Sequence, residues 1–214
     1  MQPDLSLDRA RALALSPVSR ETADRLDRFV ALLLDWQSRI NLIASSTVPV
    51  LWTRHIADSL QLCALAPDAR HWVDLGSGAG FPGLVVACVL ADSLPAEVHL
   101  IDSSKKKAAF LSEAVRLTGA PAIVHAERSD DFIKKFDGPL DIVTARALAP
   151  LPRLLAIAYP LLKRGAKGLF PKGQDVDAEL TEAAKCWSIQ ASLVPSRTDP
   201  KSRIVAIRSA RPKP

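Results

Sequence analysis

The sequence predicts an α/β protein in which a mostly parallel sheet of seven strands follows a helical N-terminal extension. Three observations support this fold class. Short apolar runs of strand length alternate with helical patterns from residue 71 onward. The last two runs, 188–194 and 203–208, are too close together for a crossover helix and therefore predict an antiparallel hairpin. Residues 1–68 show helical periodicity and no strand pattern.

The N-terminal extension, residues 1–68, is predicted to be helical throughout. Ser19 can cap a long helix in which Leu26, Val30 and Leu33 recur at helical spacing on one face. The helical patterns cover residues 3–15, 19–40 and 50–65. An apolar helical face needs a partner to bury it. We therefore predict that residues 1–68 pack as an extension on a second unit, residues 69–214.

The second unit alternates strands and helices. The predicted strands cover residues 71–75, 97–101, 121–125, 140–145, 166–170, 188–194 and 203–208. The predicted helices cover residues 82–90, 105–118, 129–135, 150–162 and 175–186. Strands separated by helices predict a parallel, doubly wound sheet. With a terminal antiparallel hairpin, this is the Rossmann-like arrangement of class I methyltransferases, whereas the NAD-binding fold normally ends in parallel strands.

A glycine-rich bend follows the first predicted strand, in the sequence DLGSGAG. Gly76, Gly78 and Gly80 alternate with small residues. Glycine lets the backbone take positive φ and lets a ligand approach without meeting a Cβ. The helix that follows offers the free N–H groups of its first turn. A strand, a glycine bend and a helix start are the parts of a nucleotide-type site.

The spacing of this bend distinguishes two cofactor classes. A dinucleotide site has its third glycine three positions after the second, and Phe81 stands there. Asp74 lies beside the bend, and its carboxylate would repel a pyrophosphate but attract a cation. The sequence thus favours S-adenosylmethionine, with an NAD-dependent oxidoreductase as the alternative. The predicted contacts in this segment are Asp74, Gly76, Gly78, Gly80 and Phe81.

Polar residues at the ends of the next strands extend the predicted cofactor site, since ligands of open sheets lie beyond the carboxyl ends of the strands. Asp102 ends the second strand and can accept hydrogen bonds from ribose hydroxyls. Capping of the following helix is its alternative role, although Ser103 and Ser104 are better placed for that. Ser129 and Asp130 follow the third strand, where they can contact adenine or cap a short helix.

Three basic residues are candidates for the catalytic side of the cleft. Arg146 follows the fourth strand and can hold a carboxylate or a phosphate bidentately, or form a surface ion pair. Lys172 follows the fifth strand and can face the same cleft. His55 lies within about one helical turn of Arg54 and Asp58, which suggests a cleft role, although a lone histidine on a helix is usually structural.

Composition and charge limit which partners, metal sites and cellular locations we expect. The net charge of +5 and pI near 9.3 permit a polyanionic partner without demanding one. Three dispersed cysteines and four scattered histidines predict neither a disulfide framework nor a metal site. The N-terminus lacks the apolar segment of a signal peptide, and no apolar run is long enough to cross a bilayer. We therefore expect a cytoplasmic protein without a membrane partner.

With these residues collected, the chain resembles the ribosomal RNA small-subunit methyltransferase G family, also called glucose-inhibited division protein B, from about residue 20 to residue 208. The resemblance rests on WQSRINL (36–42), RHIADSL (54–60), VDLGSGAGFPG (73–83), IDSSKKKAAFL (101–111), TARALAPL (144–151) and the Lys172-Gly173 step. The combination of RHIADSL and GSGAGFPG in this order is specific. The glycine bend alone would indicate only a methyltransferase.

The resemblance implies methylation of the N7 nitrogen of one guanine in 16S ribosomal RNA, with S-adenosylmethionine as cofactor. A methyltransferase acting on a protein or a small molecule is the nearest alternative. The cofactor contacts that the resemblance implies are Gly76, Phe81, the turn from Asp102 to Ser104, Ser129 with Asp130, and Arg146. Because guanine N7 has a free lone pair, no obligatory acid or base is expected.

The implied partner is 16S ribosomal RNA, either naked or in an assembling small subunit, and we expect the protein itself to be a monomer. RNA must be held by its phosphates, and binding should then weaken steeply with salt. The candidate phosphate donors are Arg28, Arg39, Arg54, Lys163, Arg164, Lys167, Arg197, Lys201 and Arg203. Each could equally be a solubilising surface charge.

Overall fold

The computed structural model of the chain describes residues 4–92 and 95–213. The strands are β1 (His71–Leu75), β2 (Glu97–Ile101), β3 (Ala122–His125), β4 (Ile142–Thr144), β5 (Lys167–Lys172), β6 (Trp187–Pro195) and β7 (Arg203–Pro212). The α-helices are α1 (Ser6–Leu15), α2 (Arg20–Gln37), α3 (Asp58–Leu65), α4 (Gly83–Leu90), α5 (Lys105–Thr118), α6 (Ser129–Lys135), α7 (Leu151–Leu162) and α8 (Val176–Cys186). None of the helices described has the length and apolar character needed to cross a membrane.

All seven strands form one sheet in the order β3-β2-β1-β4-β5-β7-β6. The strands from β3 to β5 pair in parallel, and β7 is antiparallel to both of its neighbours. The predicted fold class, including the antiparallel hairpin, is thus confirmed. Strand order reverses between β1 and β4, where ligands of open α/β sheets bind.

The sheet is covered on both faces, as parallel sheets usually are. Successive residues of β1 point to opposite faces, so Trp72 joins one core and Val73 joins the other. The first core also contains Phe29 and Phe110, from α2 and α5. The second core includes side chains of α6, α7 and α8. This layering leaves the carboxyl ends of β1, β2 and β4 free to build a site.

The helix α2 packs against the same core as the sheet. Its first turn is capped by Ser19, which accepts a hydrogen bond from the Thr22 amide at 3.0 Å. The buried face of α2 carries Leu26 and Phe29, both completely inaccessible to solvent. Burying such side chains stabilises the packing by roughly 1.5–3 kcal/mol each. Trp36 adds a hydrogen bond from Nε1 to a carboxylate oxygen of Glu113 on α5, 3.0 Å away.

The predicted third helix, residues 50–65, is divided into pieces. A 3₁₀-helix (Ser45–Val50) leads into a π-helix (Trp52–Ala57), and only Asp58–Leu65 is α-helical. The carboxylate of Asp8 on α1 accepts hydrogen bonds from the amides of Trp52 and Thr53 at 2.7 and 3.2 Å. These amides lie where the helical path changes, and π-helices often occur at functional sites.

The other helix and strand boundaries differ from the predicted ones by a few residues. The predicted first helix begins at Ser6 rather than residue 3, and residue 3 lies outside the described range. The strand predicted over 140–145 is limited to Ile142–Thr144. The last strand extends to Pro212, beyond the predicted 203–208, because it pairs along the whole of β6.

Candidate active site

The glycine bend lies at the carboxyl end of β1. Gly76, Gly78 and Gly80 have φ values of 71°, 57° and 88°, in the left-handed region that favours glycine. A Cβ on Gly76 would lie 2.7 Å from Cδ1 of Leu148, the end of an exposed side chain that can move aside. The bend therefore needs glycine mainly for its backbone path.

Asp102 connects the glycine bend to the start of α5. Its Oδ2 accepts a hydrogen bond from the Gly78 amide at 2.9 Å, and its Oδ1 accepts one from the Ser104 amide at 2.8 Å. Ser104 caps α5 by accepting from the Lys107 amide at 3.4 Å. The capping role thus belongs to Ser104, and Asp102 holds two loops of the site together.

A first cavity of about 940 Å³ opens beside this bend, within the size range of small-molecule sites. It lies at the carboxyl ends of β1 and its neighbours, where strand order reverses. Ten of the residues selected from the sequence line it: His55, Gly76, Gly78, Phe81, Asp102, Ser103, Ser104, Ser129, Asp130 and Arg146. The fold thus brings together segments that are far apart in the chain.

Asp74 and Gly80 are not among the described residues that line the first cavity. Asp74 is fully buried behind the bend, where its Oδ2 accepts a hydrogen bond from the Gly83 amide at 3.0 Å. Burial raises the pKa of this carboxyl group to about 7. Gly80 faces Phe29 and Leu84, each 3.1 Å from a Cβ built on it. The expectation that the Asp74 carboxylate faces a ligand is therefore corrected to a buried contact with the start of α4.

His55, Arg146 and Phe81 form a compact cluster on the cavity wall. Arg146 donates from Nη2 to Nδ1 of His55 across 2.7 Å, and the His55 ring stacks on Phe81 with centroids 4.9 Å apart. Because arginine can only donate, Nδ1 carries no proton, and Nε2–H donates to Oγ1 of Thr47 at 3.0 Å. Burial, followed by the charges of Arg146 and Arg54, lowers the pKa of His55 to about 3.

Asp58 links this cluster to the C-terminal hairpin. Its Oδ2 lies 3.6 Å from Nη1 of Arg146. Its Oδ1 accepts hydrogen bonds from Nε2 of Gln61 at 2.8 Å and from Oγ1 of Thr198 at 3.0 Å. Thr198 belongs to the loop between β6 and β7. The position of Arg146 therefore depends on a segment near the end of the chain.

A second cavity, of about 580 Å³, adjoins the first. His55 and residues 146–150 line both cavities, so this segment is a shared wall. The wall includes Ala147, whose φ of 55° is unusual for a residue other than glycine. Lys172 lines the second cavity, not the first, and donates from Nζ to the Ala149 carbonyl at 2.7 Å. The candidate catalytic residues thus lie on and around the shared wall.

Several lining residues were not indicated by the sequence patterns. They include Arg128, Arg153 and Ile157 around the first cavity, and Thr47, Glu179 and Ser196 around the second. Among the described residues, no group of three or more histidine, cysteine, aspartate or glutamate side chains is placed to hold a metal ion.

Comparison with known proteins identifies the family. The sequence model described as rRNA small subunit methyltransferase G matches residues 22–204. A protein named Ribosomal RNA small subunit methyltransferase G from Bradyrhizobium sp. strain BTAi1 is 63% identical over 203 residues, covering 95% of this chain and 91% of its own length. A protein of the same name from Nitrobacter hamburgensis is 58% identical and covers 96% of this chain and 79% of its own length.

This chain belongs to the rRNA small subunit methyltransferase G family. The resemblance inferred from the sequence segments is thereby confirmed. All residues that line the two cavities fall within the part of the chain that matches the methyltransferase G family, residues 22–204. The helix α1, at Ser6–Leu15, lies outside it.

Solved structures agree with the fold of the methyltransferase G family. An O-methyltransferase from Bacillus cereus in complex with SAH superposes with a TM-score of 0.60 at 15% sequence identity, covering 95% of this chain and 97% of its own. A cofactor-bound protein from MTB gives a TM-score of 0.60 at 15% identity, covering 97% and 99%. At this identity the likeness shows a shared fold alone.

Proposed function

We propose that this protein transfers a methyl group from S-adenosylmethionine to the N7 nitrogen of a guanine in 16S ribosomal RNA. Family membership supports the reaction, and one structural observation supports its location. The two cavities share the wall formed by His55 and residues 146–150. A methyl donor in the first cavity and a base in the second would meet at this wall.

The first cavity fits S-adenosylmethionine, which supplies an activated methyl group when bound. Both oxygens of Asp102 accept backbone N–H groups, and each keeps a lone pair that can accept from a ribose hydroxyl. A Cβ built on Gly78 would meet only the Gly76 carbonyl oxygen, at 3.8 Å, so a ligand can approach the backbone there. The proposed cofactor contacts are Gly76, Gly78, Phe81, Asp102, Ser103, Ser104, Ser129, Asp130 and Arg146.

The residues around the wall position the reactants rather than transfer protons. The lone pair of guanine N7 lies in the ring plane and carries no proton, so no base is needed. His55 cannot serve as a general acid near neutral pH, because its pKa is about 3 and Nδ1 is engaged by Arg146. Holding two reacting atoms in line and excluding water can lower a barrier by roughly 7–11 kcal/mol.

The basic residues at the cavity rims are the proposed phosphate contacts. Lys107, Arg128 and Arg153 line the first cavity, and Arg54 and Arg203 line the second. Arg54 and Arg203 were among the donors selected from the sequence. Both also contact the protein itself, Arg54 through Asp199 and Arg203 through the carbonyl groups of residues 200 and 202. Arg164, another of those donors, is held by carbonyl groups of residues 136–138. Phosphate contacts of this number predict a strong loss of RNA affinity with added salt.

We also propose that the protein acts as a monomer in the cytoplasm, where its ribosomal substrate is assembled. In this proposal residues 1–68 form an extension packed on a cofactor-binding domain, residues 69–214. The hydrogen bond between Trp36 and Glu113 and the packing of Phe29 near Phe110 support the packing of this extension on the domain. Gel filtration with light scattering measures the molar mass in solution and so tests whether the protein is a monomer.

Methyl transfer tests the proposed function. Purified protein is incubated with methyl-labelled S-adenosylmethionine and with either naked 16S ribosomal RNA or assembled small subunits. Reduction and aniline cleavage then map any 7-methylguanine. We expect label at one guanine, lost in Arg146→Ala and retained in Arg116→Ala, because Arg116 is exposed on α5 and lines neither cavity. Label on protein or small molecules, or binding of NAD instead, would contradict the proposal.

A further inference from the structure

The second cavity contains an acidic side chain among its basic ones. Glu179, on α8, lines this cavity beside Leu151, the residue that follows the shared wall. Its Oε2 accepts a hydrogen bond from the Leu151 amide at 2.6 Å and pairs with Nζ of Lys172 at 2.8 Å. In the part of the chain that the structure describes, Oε1 of Glu179 has no hydrogen-bond partner. One oxygen is thus committed to the protein and the other is open to a ligand.

The surroundings hold Glu179 in place. The Lys172 side chain is only 8% exposed, and its Nζ is fixed by both Glu179 and the Ala149 carbonyl. The Leu151 amide belongs to the first turn of α7, where backbone N–H groups lack helical partners and attract a carboxylate. Glu179 therefore presents a preorganised acceptor, with 25% of its side chain exposed, inside a cavity of about 580 Å³.

We propose that Glu179 recognises the target guanine by accepting hydrogen bonds from its N1–H and its N2 amino group. This inference rests on the proposed function, and it names how the base is selected. In a purine ring the N1 and N2 edge lies away from N7. A guanine with N7 beside Arg146, at one end of the shared wall, therefore presents its N–H donors toward the other end, where Glu179 bonds the amide of Leu151. Enzymes that modify single bases commonly read this Watson–Crick edge.

The chemistry of this contact distinguishes guanine from adenine. Adenine carries an unprotonated N1 and lacks the N2 amino group, so its lone pair would face the carboxylate. A site built to bond an N–H group rejects analogues that lack it, because its own polar group is left unpaired. The carboxylate also becomes a better partner as the reaction proceeds, since a guanine methylated at N7 carries a positive charge. Interactions that strengthen in the transition state increase the rate.

The substitution Glu179→Gln changes the group that faces the guanine from a hydrogen-bond acceptor to a donor and keeps the size of the side chain. The Leu151 amide and the Lys172 ammonium both donate to the Oε2 position. The amide oxygen of glutamine must take that position, so its NH₂ group replaces Oε1 and faces the donors of guanine. The matched control is Glu182→Gln, because Glu182 lies on the same helix, is exposed and pairs with Lys185 at 2.6 Å.

The test uses 16S ribosomal RNA assembled by ligation with either guanine or inosine at the mapped position. Inosine keeps N7 and N1–H and lacks only the N2 amino group. Losing one hydrogen bond to a charged acceptor should lower kcat/KM of the wild-type protein by roughly 10- to 100-fold. In Glu179→Gln, guanine should be methylated about 100-fold more slowly than by wild type. Inosine should then be methylated at least as well as guanine.

Two further measurements separate the outcomes. S-adenosylmethionine affinity should be close to wild type in Glu179→Gln, because Glu179 does not line the first cavity. The melting temperature should fall, because the nearly buried Lys172 loses its ionic partner, so methylation is measured well below the transition of the variant. A wild-type protein that methylates guanine and inosine equally overturns the proposal without any variant. A Glu179→Gln protein with the wild-type guanine-to-inosine ratio overturns it as well. Absence of any 16S methylation by wild type overturns the proposed function itself.

Discussion

The guanidinium group of Arg146 donates a hydrogen bond to Nδ1 of His55 across 2.7 Å, and this contact fixes the histidine as neutral. Protonation at Nδ1 would break the bond and place two positive charges together in a buried site. Burial adds to the effect, and together they lower the pKa of His55 to about 3. The residue most suggestive of acid–base chemistry in the sequence is therefore a structural acceptor.

The first prediction concerns His55 and acid stability. The pKa of its imidazole is 6.5 in the unfolded chain and about 3 in the folded protein, so the unfolded state binds more protons between these values. Stability is complete above about pH 6.5 and is lost as pH falls toward 3, by up to about 5 kcal/mol. Relative to wild type, His55→Gln should therefore lose less stability in acid. Urea unfolding of both proteins at matched pH measures the difference, and equal slopes would contradict the assignment.

The second prediction concerns Asp74, whose linkage has the opposite sign. Its pKa rises from 3.8 in the unfolded chain to about 7 on folding, so its contribution is complete below pH 3.8 and is lost as pH rises through 7. The loss amounts to at most about 4 kcal/mol. Asp74→Asn cannot titrate, and it should gain stability relative to wild type between about pH 4 and 8. The two titrations oppose each other in mild acid, so differences between variant and wild type are the quantities to measure.

The third prediction concerns Asp102. Asp102→Ala removes the acceptor for the amides of Gly78 and Ser104 and the proposed acceptor for ribose hydroxyls. We expect S-adenosylmethionine affinity to fall by roughly 10- to 100-fold, and stability to fall by about 1–2 kcal/mol as the loops loosen. Calorimetric titration measures the affinity. Asp131→Ala is the control, since Asp131 is exposed and pairs with Lys134 on its own helix. Normal affinity in Asp102→Ala would remove this residue from the site.

The fourth prediction concerns the reason for glycine at position 76. Gly76→Ala carries the cost of a left-handed backbone, about 1–2 kcal/mol. Its Cβ would also lie 2.7 Å from Cδ1 of Leu148, but this atom ends a flexible, exposed side chain that can move aside. Gly119 has a similar φ of 65° with nothing within 4 Å, so Gly119→Ala carries the backbone cost alone. The two variants should therefore lose similar stability in chemical unfolding, and a much larger loss in Gly76→Ala would contradict the backbone explanation.

The sheet and the glycine bend could be predicted because their causes are local. Strand-length apolar runs, glycine spacing and the absence of a crossover between the last two strands are readable from neighbouring residues. Asp102 could be placed because the ends of parallel strands meet at one edge. The orientation of Asp74 was inferred less well. It shares the face of Trp72 and points toward α4 instead of the cavity.

The remaining site residues depend on contacts between distant segments. The π-helix that carries His55 is held by Asp8, which is 44 positions before Trp52. Glu179 faces the second cavity because α8 packs beside α7. The sequence of α8 alone has the pattern of an exposed, charged helix and does not indicate this contact. Such placements follow from tertiary packing, which overrides local preference.

The hydrogen bond from Thr198 to Asp58 ties the loop of the hairpin to the cluster around Arg146. The loop that carries Thr198, together with Arg203 and Ile204, forms one side of the second cavity. A displacement of this loop would therefore change the shape of the second cavity and the position of the Arg146 guanidinium together. The glycine bend has no hydrogen bond to this loop in the described residues, so its geometry would be changed less.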